Sequence, residues 1–287
     1  QNIYWPRPIK WFAKSSGTTN AKSKFIPVSM ESLEDCHYAA SKDLLCMYLN
    51  NNEGSQLFTG KSLRLGGSKE LYKENGTVFG DLSAILIDNM PFWAEYSSTP
   101  SSRVSLMSDW ETKMAAVVDE TINENVTSLA GVPSWMLVLL NNMLEETGKE
   151  HLFQVWENLE VYFHGGVSFS PYKEQYKTLF PRKNFRYYEI YNASEGFFAI
   201  QDRNNADDLL LMLDARRRSA RAHAVAWRAT MRGGPNWARR GQLCAAPATA
   251  AAAGARSGLS SPRYRTINAP LSGALSDTSK RNTPPSE

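Results

Sequence analysis

The segment from Ser15 to Lys24 has the residue types needed to hold a nucleoside triphosphate. Small residues let backbone N–H groups approach phosphate oxygens, hydroxyls donate further hydrogen bonds, and lysines offset the negative charge. The residues that provide the first two properties are Ser15, Ser16, Gly17, Thr18 and Thr19, and the cations are Lys22 and Lys24. The segment therefore predicts a phosphate-binding loop.

Two other interpretations of this segment exist. The P-loop pattern G-x-x-x-x-G-K-S/T needs a second glycine five residues after Gly17, and Lys22 stands there, so that class of nucleotide-binding protein is excluded. A polar surface turn is the simpler interpretation, because Ser, Gly and Thr are common in loops. The segment alone does not decide between a turn and a phosphate loop.

A second polar segment follows a predicted strand. Tyr191-Asn192-Ala193-Ser194-Glu195 lies where ligands usually bind on open α/β sheets. The carboxylate of Glu195 has the oxygen ligands that Mg²⁺ prefers, although a glutamate in such a position, taken alone, is more often a solvated surface acid.

A third segment, His164-Gly165-Gly166, also follows a predicted strand. Two glycines permit a flat ring such as adenine to approach the backbone closely. A strand-end turn with positive φ explains the same glycines, and His164 can be a histidine with its hydrogen bonds satisfied in the core.

The elements that must position these segments alternate between helix and strand. Helices are predicted at residues 31–50, with Ser29 or Ser32 as the cap, at 114–123, at 133–146 with Gly148 as the stop, and at 171–179. Strands are predicted at 159–163, 186–191 and 196–200. This order predicts an α/β layered domain with a largely parallel sheet.

Charge divides the chain near Asp214. Residues 1–214 contain 19 Lys and Arg against 27 Asp and Glu, whereas residues 215–287 contain 13 against 2, and 12 of those 13 are Arg. The second part is rich in Ala and has too few large apolar residues for a core, so we expect a disordered, low-complexity tail at 215–287 after a folded unit at 1–214. The abrupt change in composition would follow from translation of a GC-rich alternative reading frame.

The remaining composition points to a protein of a reducing, cytoplasmic setting. The three cysteines have no metal-ligand spacing and are an odd count, which argues against a zinc site and against a disulfide framework. The N-terminal residues lack the pattern of a secretory signal, and no apolar stretch approaches the length of a membrane span, so we expect no membrane partner.

Taken in order, the three segments resemble the adenylate-forming superfamily, and within it the auxin-responsive Gretchen Hagen type acyl acid amido synthetases and their bacterial relatives. Residues 10–29 are similar to the first motif with its flanks, and Tyr191 to Glu195 resembles the Tyr-x-x-Ser-Glu motif. Gly131-Val132-Pro133-Ser134-Trp135 is a further similar stretch. The resemblance covers about residues 1–214 and does not extend to the tail.

The resemblance implies a two-step ligase. ATP and a carboxylic acid would give an acyl adenylate and pyrophosphate, and the amine of an amino acid would then form the amide. Ser15 to Thr19 would hold the β- and γ-phosphates, Gly165 and Gly166 would border the adenine, and Tyr191 would stack near it. Ser194 would contact the α-phosphate and Glu195 would hold Mg²⁺.

The resemblance is incomplete, because the helical region expected before the first motif and the C-terminal domain with its lysine are not found in the sequence. We therefore expect this polypeptide to be inactive or nearly so. Three alternatives stay open. One is an acyl or aryl CoA ligase of the same superfamily, and another is a non-catalytic remnant that still binds nucleotide. The third is a non-catalytic protein whose basic tail binds nucleic acid, which the small number of aromatics in the tail and the absence of a recognition module disfavour.

Overall fold

Two β-sheets with helices packed around them form the described part of the chain. The computed structural model describes residues 8–15, 24–66, 71–206 and 208–212, and the backbone of residues 266–267. The predicted tail at 215–287 lies almost entirely outside these residues, and so does the boundary at residue 214.

The smaller sheet has four strands in the order β2-β1-β5-β4. Its strands are β1 (Trp11–Ser15), β2 (Lys24–Val28), β4 (Tyr72–Glu74) and β5 (Thr77–Gly80). β1 and β2 are antiparallel, and Ser15 pairs with Lys24 at the end of the pair that residues 16–23 connect. Pro27 is tolerated because β2 is an edge strand, where a missing N–H costs no ladder hydrogen bond.

The larger sheet has eight strands in the order β12-β11-β10-β9-β8-β7-β3-β6. Their bounds are β3 (Lys61–Leu65), β6 (Ser98–Thr99), β7 (Val126–Gly131), β8 (Val161–Gly165), β9 (Arg186–Ala193), β10 (Gly196–Ile200), β11 (Leu209–Leu211) and β12 (Thr266–Ile267). In the sheet, neighbouring strands among β6, β3, β7, β8 and β9 are parallel. Neighbouring strands among β9, β10, β11 and β12 are antiparallel.

Seven α-helices and three short helical segments connect the described strands. The α-helices are α1 (Ala39–Asn51), α2 (Leu82–Asp88), α3 (Phe92–Tyr96), α4 (Ser102–Ser105), α5 (Trp110–Thr121), α6 (Pro133–Thr147) and α7 (Lys173–Leu179). A π-helical segment, Ser32–Tyr38, leads directly into α1, and 3₁₀ turns form at Leu152–Gln154 and Ser170–Tyr172.

Local chemistry sets the ends of two of these helices. The hydroxyl of Ser29 accepts a hydrogen bond from the Ser32 N–H at 3.1 Å, so Ser29 is the capping serine of the first helix. Pro133 begins α6, and Gly148 ends it with φ +63°, a left-handed conformation that glycine adopts without strain.

Three hydrophobic clusters hold the layers together. The largest lies between the large sheet and helices α5, α6 and α7, and it includes Val117, Met136, Leu139 and Tyr176. The second packs α1 against β8, β9 and β10. The third joins the small sheet to the π-helical segment and α2 through Ala13, Val28, Leu33 and Ile85.

The predicted α/β layered fold is confirmed, with three corrections. The large sheet is mixed beyond β9, because β10 and β11 return as hairpins. The strand predicted at 159–163 is Val161–Gly165, and β9 extends two residues further than predicted. A strand that the sequence did not predict, β2, lies between the segment Ser15–Thr19 and the helix predicted at 31–50. No helix among the described residues has the length and apolar character needed to cross a bilayer.

Candidate functional site

The carboxyl ends of β7, β8 and β9 form one edge of the large sheet. Gly131 at the end of β7 pairs with His164, and Gly165 at the end of β8 pairs with Ile190 of β9. Parallel strands end at the same edge, which is where open α/β sheets bind ligands. Three segments singled out in the sequence therefore meet there: 131–135, 164–166 and 191–195.

Gly165 and Gly166 are needed for different physical reasons. A Cβ on Gly165 would lie 2.3 Å from the Ile190 carbonyl oxygen, closer than any real contact, so β8 and β9 can approach only because no side chain is present. Gly166 has φ +84°, a conformation that L side chains rarely adopt. A Cβ on it would lie 3.3 Å from Cγ2 of Val132, which follows β7. The predicted turn glycines are thus packed between the neighbouring strand ends.

The segment from Tyr191 to Glu195 contains the tip of a β-hairpin. Ala193 at the end of β9 pairs with Gly196 at the start of β10, so Ser194 and Glu195 are the two loop residues of a tight turn. Glu195 is exposed and is in none of the ion pairs of the described residues. Its carboxylate is therefore available to a ligand.

Tyr191 presents an exposed aromatic surface beside this turn. Its side chain is 44% exposed, and its ring centroid lies 5.3 Å from that of Phe198 at an interplanar angle of 42°. Ile190, the preceding residue, is the register partner of Gly165. Tyr191 and the two glycines therefore lie on adjacent strand ends.

His37 makes a contact with this hairpin that the sequence analysis did not anticipate. Its Nδ1 lies 3.0 Å from Oδ1 of Asn192, and because an amide oxygen only accepts, Nδ1 carries the proton. Burial lowers the pKa of His37, and the hydrogen bond with Asn192 offsets part of that effect. The neighbouring Cys36 Sγ accepts a hydrogen bond from the Phe197 N–H at 3.3 Å.

His164 is buried in the aromatic cluster on the α6 and α7 side of the sheet. Its ring stacks on Phe169 with centroids 4.2 Å apart and lies tilted on Tyr162 at 5.3 Å. Its Nδ1 is buried and has no hydrogen-bond partner among the described residues, so the expectation of a satisfied histidine is wrong for this atom. Burial lowers the pKa of His164 to about 3, which keeps the imidazole neutral.

Two tyrosines tie the loop after β7 to the same cluster. The Tyr162 hydroxyl donates to the Gly131 carbonyl at 2.9 Å, and the Tyr176 hydroxyl donates to the Pro133 carbonyl at 2.8 Å. These bonds fix the start of α6 against β8. Trp135 in the first turn of α6 stays 49% exposed and packs edge-to-face on Trp110, with ring centroids 4.6 Å apart.

The family model for the N-terminal domain of the GH3 family matches residues 1–185 of this chain. This chain belongs to the GH3 family. The match includes the first motif, the stretch 131–135 and the pair Gly165–Gly166, and it ends just before β9. No curated protein sequence matches the chain.

Two solved structures of a GH3.15 acyl acid amido synthetase have a similar fold. One is the GH3.15 acyl acid amido synthetase, with a TM-score of 0.57, and the other is AtGH3.15 acyl acid amido synthetase in complex with 2,4-DB, with a TM-score of 0.55. Each is 16% identical to this chain, and each alignment covers 71% of this chain and 45% of the other. This GH3 chain thus spans less than half of the length of either structure. At this sequence identity, the likeness shows the fold alone.

The structure describes only the ends of the predicted phosphate loop. Ser15 and Lys24 face each other as the last pair of β1 and β2 in this GH3 chain. The predicted loop residues that lie outside the described residues are Ser16, Gly17, Thr18, Thr19 and Lys22. The loop is therefore the connection of a hairpin, and its contacts stay a prediction.

The donors at the sheet edge of this GH3 chain suit one kind of metal ion. The described residues contain no group of three His, Cys, Asp or Glu side chains that could form a protein-only metal site. Mg²⁺ commonly binds through one or two carboxylates together with nucleotide phosphates and waters. One exposed carboxylate, Glu195, beside a predicted nucleotide site fits that mode of binding.

Proposed function

We propose that this GH3 chain carries the nucleotide-binding half of an ATP-dependent acyl acid amido synthetase. The reaction is activation of a carboxylic acid as its acyl adenylate, followed by amide formation with an amino acid. The observation that supports it best is the meeting of Gly165–Gly166 with the Tyr191–Glu195 hairpin at one sheet edge, in a chain of the GH3 family.

The roles proposed for individual residues are those that the resemblance to the adenylate-forming motifs implies. Gly165 and Gly166 border the adenine, and the exposed ring of Tyr191 stacks beside it. Ser194 contacts the α-phosphate from the hairpin tip. Ser15, Ser16, Gly17, Thr18 and Thr19 hold the β- and γ-phosphates from the other hairpin.

The chemical problem is that a carboxylate is a poor electrophile. Transfer of AMP to its oxygen forms a P–O bond, breaks the bond between the α- and β-phosphates and releases pyrophosphate. The amine then attacks the acyl carbon and AMP leaves. Positioning and neutralisation of charge provide most of the acceleration in such reactions.

Glu195 is the residue that would hold Mg²⁺. Bound there, the ion would neutralise charge that develops on the phosphate oxygens. The carboxylate itself needs only to be held at a fixed orientation. The tight turn between Ala193 and Gly196 restricts the backbone on both sides of it.

We also propose that the 287-residue polypeptide alone binds nucleotide but turns over at or near the background rate. It spans 45% of the length of the GH3.15 structures, and a two-step ligation needs groups from more of the fold than this. Loss of a single positioned donor already costs orders of magnitude in rate.

Calorimetric titration with ATP, with and without Mg²⁺, tests nucleotide binding directly. We expect Mg²⁺ to strengthen ATP binding by wild type, and Glu195→Gln to remove that dependence. Glu157→Gln is the matched control, because Glu157 is an exposed carboxylate that precedes β8 at the opposite edge of the sheet. Absence of ATP binding, or a Glu195→Gln variant that keeps the Mg²⁺ dependence, would overturn the proposal.

ATP–pyrophosphate exchange with a panel of carboxylic acids tests turnover. We expect exchange at the background rate for the polypeptide alone. Robust exchange that Glu195→Gln abolishes would show that the polypeptide is competent in adenylation, and product analysis with amino acids against CoA would then distinguish amide from thioester formation.

A further inference from the structure

The π-helical segment Ser32–Tyr38 contacts both hairpins that carry the proposed phosphate and metal groups. On one side, Leu33 is fully buried with Ala13 of β1 and Val28 of β2. The same segment carries Cys36 and His37 to the hairpin formed by β9 and β10. π-Helical turns are uncommon and occur often at functional sites.

Cys36 and His37 each contact one strand of the β9–β10 hairpin, at residues that pair with each other. Asn192 and Phe197 are register partners across β9 and β10. His37 donates to the Asn192 side chain, and the Phe197 N–H donates to Cys36 Sγ. The two contacted residues enclose the hairpin tip, with Ser194 and Glu195 between them in sequence.

The His37 contact has the features of a fixed link. The side chain is 1% exposed, and its backbone carbonyl accepts a hydrogen bond from the Ser41 hydroxyl at 2.8 Å. Its Nε2 is buried without a hydrogen-bond partner among the described residues, so Asn192 is the polar group that holds the ring in place. An apolar side chain would pack in this position at lower desolvation cost, which argues that the imidazole is retained for the Asn192 contact.

We propose that His37 is a positioning residue that fixes the Ser194–Glu195 turn relative to the β1–β2 hairpin. This inference rests on the proposed function, because it assigns His37 a role in Mg²⁺-dependent nucleotide binding. His37 touches neither nucleotide nor metal in this role. It holds Asn192, and through Asn192 the second residue pair of the hairpin counted from the turn.

A substitution series at His37 separates positioning from general stability. His37→Leu fills the site but removes the donor, whereas His37→Asn replaces Nδ1 with an amide N–H that can donate to Asn192 Oδ1. Leu44→Val is the stability control, because Leu44 is buried in the same hydrophobic cluster as Phe197 and its apolar side chain makes no hydrogen bond to the hairpin. Wild type, these three variants, Asn192→Leu and the double variant His37→Leu with Asn192→Leu are titrated with Mg²⁺·ATP and with adenosine.

For His37→Leu we expect Mg²⁺·ATP binding to weaken about three- to tenfold, the range for one lost intramolecular hydrogen bond, while adenosine affinity stays unchanged. We expect His37→Asn to recover affinity to within about twofold, and His37→Leu combined with Asn192→Leu to be no weaker than either alone. Unchanged Mg²⁺·ATP affinity in His37→Leu would overturn the inference. So would equal losses of Mg²⁺·ATP affinity and adenosine affinity in His37→Leu, if Leu44→Val shows the same losses.

Hydrogen exchange tests the link without nucleotide. We expect faster exchange of the amides of residues 192–197 in His37→Leu than in wild type, and no such change in Leu44→Val or His37→Asn. Unchanged exchange there contradicts the link itself. If these amides exchange faster in His37→Leu but wild type does not bind ATP, the link is retained and the proposed function is rejected.

Discussion

Gly165 lies so close to Ile190 that a Cβ on the glycine would stand 2.3 Å from the Ile190 carbonyl oxygen and 2.9 Å from its Cγ1. The Ile190 carbonyl cannot move freely, because it belongs to the backbone of a central strand. The close approach brings the end of β8 against Ile190 of β9, and Tyr191 is the next residue along that strand. Packing between the two strands and access to the proposed adenine site therefore depend on the same missing side chain.

We predict that Gly165→Ala lowers the free energy of unfolding by about 1–3 kcal/mol, the usual cost of overpacking, and weakens ATP binding. Gly148→Ala is the control. It places a side chain at φ +63° in open space, and it costs about 1–2 kcal/mol at the end of α6. Urea unfolding and calorimetry measure the two effects. Equal ATP affinity in both variants would refute a link between the β8–β9 approach and the nucleotide site.

Much of the edge could be predicted from sequence, because its determinants are local. Pro133 and Gly148 bound α6, and aromatic and β-branched residues indicate β8, β9 and β10. Once β8 and β9 are taken as parallel neighbours, the segments that follow them must meet at one edge. The two-residue turn at Ser194–Glu195 then follows from the return of β10 along β9.

The contacts that sequence reasoning missed are non-local. β1 pairs with β5 across more than sixty residues, which leaves no periodic signal in either strand. His37 and Asn192 are separated by 155 residues. Nothing in the pattern around His37 distinguishes a buried positioning histidine from a residue on a helix face, and only the fold brings the two side chains together.

His164 gives a pH dependence with a definite sign. Its pKa is about 3 in the folded protein and ordinarily 6.5, so the folded state favours the neutral ring. The stabilisation is present above pH 6.5 and is lost as the pH falls toward 3. We expect wild type to lose about 3 kcal/mol more than His164→Phe between pH 7 and pH 4, measured by urea unfolding.

Comparison of wild type with His164→Phe removes the contributions of other titrating groups. Burial also lowers the pKa of His37, so His37 likewise reduces stability as the pH falls. Burial raises the pKa of Glu189, the register partner of His164, so Glu189 has the opposite effect on stability. Both are present in wild type and variant. Parallel pH profiles for the two proteins would show that His164 does not titrate in this way.

Two tyrosines of one cluster, each with a buried hydroxyl, should respond differently to loss of that hydroxyl. The Tyr176 hydroxyl donates to the Pro133 carbonyl at 2.8 Å, whereas the Tyr187 hydroxyl is buried without a partner among the described residues. We expect Tyr176→Phe to lower the free energy of unfolding by about 1–2 kcal/mol, and Tyr187→Phe to leave it unchanged or raise it. Chemical unfolding of the two variants measures both values, and equal losses would contradict the assigned hydrogen bond.

Tyr191 provides a test of adenine stacking that is independent of the phosphate groups. Its ring is exposed beside the paired glycines and rests on Phe198, so its removal should cost little stability. We expect Tyr191→Ala to weaken adenosine binding about tenfold, at the lower part of the range for stacking of a base on an aromatic side chain, and Tyr191→Phe to retain the affinity. Tyr96→Ala is the control, because Tyr96 is 77% exposed in α3, next to the far edge strand β6. If Tyr191→Ala binds adenosine as well as Tyr96→Ala does, the adenine does not stack on Tyr191, and the glycines must hold it without an aromatic partner there.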